Sequence, residues 1–285
     1  MPDWPAFPAG TSPAVAEVAD WCEYVALTKV GDFKRGDLKA AISIEDISSP
    51  DLLEQQTWAE LRHRSKLFGS SWPLKIQGSR VSGRTNFRIQ RELYAYLCLL
   101  GLNQIESSDR KLFEELVAEI FARTLGGNAM RIGHPASGSL SKSFRERVTM
   151  YIESSGLSPL EVNKPPLSDD KDLGVDIAGW FPHLDARGGQ PHILIQCATG
   201  RNWDKKFDDI SLQVWQSHLA WAVPPLRAFC VPNVVSLSPE KWIRVTQEAG
   251  WLIDRARLVV FAARYRMSQD LADRVSERVL DLAAA

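Results

Sequence analysis

Along the chain, stretches in which apolar residues recur every three to four positions alternate with short runs of aliphatic and β-branched residues. Ser12-Pro13 followed by Val15, Val18, Ala19, Cys22 and Val25 predicts a helix to about Thr28, because proline is tolerated in a first turn and these apolar positions share one face. Polar residues 31–36 predict a turn, and residues 51–68, rich in Leu, Glu, Gln and Arg, predict a second helix. A short strand is expected at 72–76, a Gly, Ser and Arg loop at 78–84, and an apolar helix at 87–100 ended by Gly101. The polar stretch 103–109 separates it from a helix at 111–125, capped by Ser108 or Asp109. Phe113, Leu116, Val117, Ile120 and Phe121 mark the buried face of that helix, and Gly126-Gly127 stops it.

Further on, a strand at 129–132, a Gly/Ser-rich loop at 135–141 and a helix at 142–154 precede an exposed loop at 164–171. Two β-rich segments, 173–180 and 192–198, joined by the turn-forming run Asp185 to Pro191, predict a hairpin. A helix at 203–221, opened by Gly200 and Asn202 and ended by Pro224-Pro225, is followed by a strand at 226–231 and a helix at 240–249 capped by Ser238-Pro239. A strand at 258–263 and a helix at 268–282 complete the pattern. The expected class is α/β: a mostly helical N-terminal domain over residues 1–105, then a domain over 106–285 with a mixed central sheet flanked by helices.

Composition adds limits. With 45% hydrophobic and 24% charged residues the chain has the make-up of an ordinary globular protein. A net charge of -1 excludes a uniformly basic surface but leaves room for a local groove. Arg62, Arg64, Lys66, Lys75, Arg80, Arg84, Arg88 and Arg91 form the densest positive run and are expected to grip a phosphate backbone or dock a partner. Cys22, Cys98, Cys197 and Cys230 are far apart and form no CxxC pair, which argues against a zinc knuckle or disulfide framework and for a reducing, cytoplasmic home. No apolar run approaches the roughly 20 residues that span a bilayer, and Pro2, Pro5, Pro8 and Pro13 stand where a signal peptide would be basic and then apolar, so no membrane association is expected. The five histidines show no paired metal spacing, and no phosphate-binding glycine motif occurs.

Chemistry is concentrated in the hairpin. Its first strand carries Gly174-Val175-Asp176-Ile177 and its second Ile193-Leu194-Ile195-Gln196-Cys197-Ala198-Thr199-Gly200. This order of elements, with these residues, resembles the PD-(D/E)xK, restriction-endonuclease-like nuclease superfamily over roughly residues 111–234. The resemblance implies metal-assisted phosphodiester hydrolysis, with oxygen ligands fixing Mg²⁺, or Mn²⁺ in its place, and a lysine orienting the attacking water. Carried onto this chain, it makes Asp176 and Gln196 metal ligands, and Cys197 can contribute only through its backbone carbonyl. Two departures are visible: Gln196 replaces an acid, and Ala198 stands where the lysine is expected.

The superfamily's lysine can also stand on the helix after the second strand, which points to Lys206, with Lys205 as the other choice. Phe113-Glu114-Glu115-Leu116-Val117 resembles the opening of the first core helix in such nucleases and supplies Glu114 as a further acid, ahead of Glu161. Arg201 and Asn202, with Arg84 and Arg88, are the expected nucleic-acid contacts. The resemblance implies a DNA endonuclease of bacterial restriction or anti-phage defence, with an ATPase, helicase or sensor subunit as partner and homo-oligomers allowed. The alternative is an inactive nuclease-like scaffold or nucleic-acid-binding subunit.

Overall fold

Helical spacing of apolar residues builds most of the first of two compact units, residues 1–105 with 232–234 and 255–285. The structure is a computed structural model. It describes residues 5–8, 10–28, 32–85, 88–102, 106–134, 143–167, 170–183, 185 and 187–284, without the side chains of 88–90 and 282–284. In this unit α1 (Val15–Thr28), α2 (Arg35–Ile44), α3 (Pro50–Phe68) and α4 (Arg88–Gly101) accompany β1 (Phe33–Lys34), β2 (Leu74–Gln77) and β3 (Arg80–Gly83). The strands form an antiparallel sheet in the order β1-β3-β2.

Two loops expected here are regular structure. Residues 33–36 contain β1 and the start of α2, where the Asp37 carboxylate accepts a hydrogen bond from the Lys34 backbone N–H at 2.9 Å. The expected loop at 78–84 holds β3, because Gly78, at φ 61°, lets the chain reverse into a hairpin.

The basic run divides: Arg62, Lys66, Lys75 and Arg80 are exposed, whereas Arg64, Arg84 and Arg91 are engaged inside the unit. Arg64 is fully buried; it donates to Asp20 at 2.5 Å, Glu23 at 2.7 Å and Glu60 at 2.8 Å. Arg84 donates to the carbonyls of Leu74 at 3.0 Å and Ser70 at 3.3 Å, and Arg91 holds the Leu27 carbonyl. Arg88 begins α4, and its side chain lies outside the described residues.

The second unit, residues 106–231 with 235–254, carries the larger sheet. Its elements are α5 (Ser107–Leu125), β4 (Asn128–Arg131), α6 (Phe144–Ser155), β5 (Ile177–Trp180), β6 (His192–Cys197), α7 (Leu212–His218), β7 (Leu226–Cys230), α8 (Pro239–Ala249) and β8 (Trp251–Ile253). The five strands run in the order β4-β5-β6-β7-β8; β5 is antiparallel to both β4 and β6, and β7 and β8 continue parallel to β6. A mixed α/β fold is therefore present. One apolar cluster joins Phe144, Val148 and Tyr151 of α6 to Ala178, Leu194 and Trp215; another joins Ala198, Phe229, Val231 and Leu252.

Several boundaries differ from expectation. Glu106, not Ser108 or Asp109, is the N-cap of α5, while the Asp109 carboxylate accepts from the Glu106 backbone N–H at 2.8 Å. The expected helix 203–221 is a single 3₁₀ turn, Trp203–Lys205, then irregular chain, then α7, whose N-terminal amide at Val214 donates to the Ser211 hydroxyl at 3.4 Å. The strand expected at 258–263 is the helix α9 (Arg255–Ala262), and the edge strand is β8. α9 and α10 (Gln269–Ala284) cluster with the first unit, so the second domain's expected span of 106–285 stops short at 254. Among the described residues no helix is long and apolar enough to cross a membrane.

Candidate active site

The entry to β5 is held by the backbone before any side chain acts. The Asp176 N–H donates to the Ile195 carbonyl at 3.0 Å, and the Asp176 carbonyl accepts from Ile132 at 2.8 Å and Gly133 at 2.9 Å. Asp176 thus stands one residue ahead of β5 rather than within it, yet clamped to both neighbouring strands. Gly133 is required by this clamp: a Cβ there would lie 2.7 Å from Asp176 Oδ1 and 2.9 Å from its Cα. The other carboxylate oxygen, Oδ2, accepts from the Cys197 backbone N–H at 2.7 Å. Cys197 thus contributes its backbone N–H to the Asp176 carboxylate.

Around this point lies a pocket of about 340 Å³ lined by Arg110, Glu114, Asp172, Asp176, Gln196 and Lys206, with Cys197, Ala198 and Asp209 also on its wall. Glu114 arrives from the buried face of α5 and pairs with Arg131 of β4. Gln196, 6% exposed, arrives from the end of β6. Its Nε2 donates to Asp209 Oδ2 at 2.6 Å, and its Oε1 is buried with no hydrogen-bond partner. Lys206 directly follows the 3₁₀ turn and is flanked by anchors: the Trp203 and Phe207 rings pack on Phe229 of β7 with centroids 6.5 and 5.1 Å away.

The electrostatics are unbalanced toward the negative. Burial pushes the Asp176 carboxyl well above the ordinary range, and the charge of Glu114 adds to this; the Cys197 N–H opposes it, Asp172 raises it further and Arg131 lowers it. Glu114 is itself raised by burial, against the pull of Arg131. Carboxyls driven up by desolvation and by each other are the arrangement a cation relieves.

The donor set also fits a hard divalent ion. Two carboxylates and a carbonyl-type amide oxygen without a partner are oxygen ligands of the kind Mg²⁺ takes, and Mg²⁺ commonly uses one or two carboxylates and completes its shell with water. Among the described residues no three of His, Cys, Asp and Glu gather closely enough to hold a metal by themselves.

Comparison with protein-family models, curated proteins and solved structures finds no match. The site must be judged on its own chemistry.

Of the residues singled out in the sequence, Glu114, Asp176, Gln196, Cys197 and Lys206 share the pocket wall, whereas Lys205, Arg201 and Asn202 are not part of it. Arg84 and Arg88 belong to the other unit. Glu161 is buried elsewhere, accepting from the backbone N–H groups of Ala222 at 2.9 Å and Ser158 at 3.1 Å. Ala198, 2% exposed, is part of an apolar cluster, so carbon rather than an ammonium fills the position of the expected lysine. Asp172, Asp209, Arg110 and Arg131 are site residues that the sequence reading missed. The pair Asp208-Asp209 after an aromatic anchor was the only local signal for one of them.

Proposed function

We propose that this chain is a metal-dependent nuclease with a restriction-endonuclease-like core, hydrolysing phosphodiester bonds in DNA, in bacterial restriction or anti-phage defence. The observation that carries the reading is the meeting of Asp176, Gln196, Glu114 and Lys206 on one pocket at the end of a mixed sheet. The element order, helix α5, strands β4 to β6, α7 and β7, supports it as well.

In this reading Asp176, Gln196 and Glu114 hold Mg²⁺ or Mn²⁺. Such an ion supplies Lewis-acid stabilisation of the scissile phosphate and a more acidic water. The chain's own contribution is placement. Asp176 is locked by the Cys197 amide and the Gly133 contact, Lys206 offers an ammonium to the attacking water or to the charge developing on the phosphate, and Arg110 faces the same pocket as a phosphate contact. DNA, with an ATPase, helicase or sensor subunit, remains the proposed partner set.

The test is cleavage of supercoiled, linear and single-stranded DNA and of RNA with Mg²⁺, Mn²⁺ or chelator. Wild type should cut in a metal-dependent way and Asp176→Ala should lose at least a hundredfold. Cleavage indifferent to Asp176 sinks the site. A second reading, an inactive nuclease-like scaffold, is favoured by Ala198 and by the Arg131 partner that Glu114 already has. Absence of cleavage with every substrate and metal would select it.

A further inference from the structure

The neutral Gln196 is backed by an acid, and the chain is shaped to keep that acid in place. The amide nitrogen of Gln196 donates to Asp209 Oδ2 at 2.6 Å. Oε1 is thereby fixed on the other side of the amide, buried and without a partner, in a residue that lines the pocket. A hydrogen bond from Nε2 to an anion also polarises the amide and leaves more negative charge on its oxygen.

The segment that carries Asp209 is fixed from several directions. Gly174, at φ 76°, lies so close that a Cβ there would be 2.1 Å from the Asp209 carbonyl oxygen. The Asp209 N–H donates to the Lys206 carbonyl at 3.2 Å. Next along the chain Ile210 is buried in the core, and the Trp215 indole N–H donates to the Leu173 carbonyl at 3.1 Å. The turn that presents Lys206 and the turn that carries Asp172 to Gly174 are thus packed against one another at Asp209.

We propose that Asp209 is a positioning residue that makes Gln196 an anionic-assisted ligand for a divalent cation, so that the Gln196–Asp209 pair does the work of the acid missing from position 196. The proposal rests on the metal-dependent reading of the site above. Partners that orient a metal ligand from behind typically change affinity by about ten to a hundredfold when removed.

The test is Mn²⁺ binding to the full chain by calorimetry, with side-chain amide NMR of Gln196 in metal-free protein and thermal melts to verify folding. Asp209→Ala should weaken Mn²⁺ binding about tenfold or more and shift the Gln196 amide resonance. Asp209→Asn keeps an acceptor but removes the charge, and should weaken binding less. Gln196→Glu alone sets two carboxylates against each other, whereas Gln196→Glu/Asp209→Asn restores an acid–amide pair in reversed order and should bind at least as tightly as wild type. A merely structural Asp209 would give no such rescue.

Wild-type affinity retained in folded Asp209→Ala overturns the proposal and leaves the nuclease reading standing. If wild type binds no Mn²⁺ at millimolar concentration, both fall, and an unshifted Gln196 resonance in Asp209→Ala would reject the hydrogen bond itself.

Discussion

Two carboxylate clusters, one in each unit, are partnered in opposite ways. In the first unit Asp20 and Glu23 of α1 meet two fully buried arginines. Arg255 donates to both oxygens of Asp20, at 2.8 and 2.9 Å, and Arg64 bridges Asp20 and Glu23. The rest of Glu23 is satisfied by the Tyr94 hydroxyl at 2.9 Å and the Trp72 indole at 3.2 Å. In the second unit Asp176 faces Glu114 and Asp172 and receives one backbone N–H, from Cys197. A buried polar network with every group satisfied rigidifies a fold, whereas one short of positive charge keeps its ability to bind something. The first cluster is fully paired with cations and the second is not.

The comparison breaks most sharply if the first cluster can lose a cation without harm. Arg255→Ala leaves Asp20 and Glu23 short of positive charge in the core and should cost about 3–5 kcal/mol, with the melting temperature down by roughly 10 °C. Calorimetry or urea unfolding measures this, and a loss under about 1 kcal/mol would remove the structural role.

Separating the second cluster requires care with pH, because another buried group titrates in the same unit. His192 is 3% exposed, bonded through Nδ1 to the Tyr151 hydroxyl at 2.5 Å, and burial lowers its pKa from 6.5 to about 4. Its folded-state pKa is depressed, so the stability it contributes is present above pH 6.5 and is lost as pH falls through 4. The loss amounts to about 3 kcal/mol when complete. His192→Gln, whatever its effect at neutral pH, should flatten the dependence of melting temperature on pH across this window; an unchanged slope would show that His192 is not its source.

Asp176 has the opposite sign. Its folded-state pKa is raised, so the associated stability is full below the ordinary carboxylate range and disappears as pH rises through the folded value. Asp176→Asn retains an oxygen that can accept the Cys197 N–H but carries no charge. In metal-free protein at pH 8 it should melt about 2 to 4 °C higher than wild type, a gain on the order of 1 kcal/mol. A destabilised Asp176→Asn with normal structure would mean that the second cluster is as well compensated as the first.

Much of the second cluster was legible in the sequence because its carriers are regular. Two β-rich runs around a turn-forming stretch put Asp176 and Gln196 in paired strands, and the apolar stripe of α5 turned Glu114 inward. Asp209 was hidden because Phe207, Ile210, Leu212, Trp215 and Leu219 fit a helical repeat, and nothing local reveals that the chain breaks to pass over Gly174. The same limit applies to Val259-Val260, a β-branched pair that reads as strand, though α9 buries Leu258 and Val259 on a helical face. Arg64 was misjudged for a related reason. A run of basic residues looks solvated until the partners are known, and here Asp20 and Glu23 sit three apart on the buried side of α1, far along the chain.

The bond between Arg255 and Asp20 spans 235 residues of sequence. During synthesis α1 leaves the ribosome with its acids and waits for its second cation until the whole of the sheet that carries the pocket has been made. The pocket-bearing unit interrupts the chain of the other one, and it can complete its core first although it comes later in the chain. A product ending before Arg255 would keep Arg64 but lack the cation that binds both oxygens of Asp20.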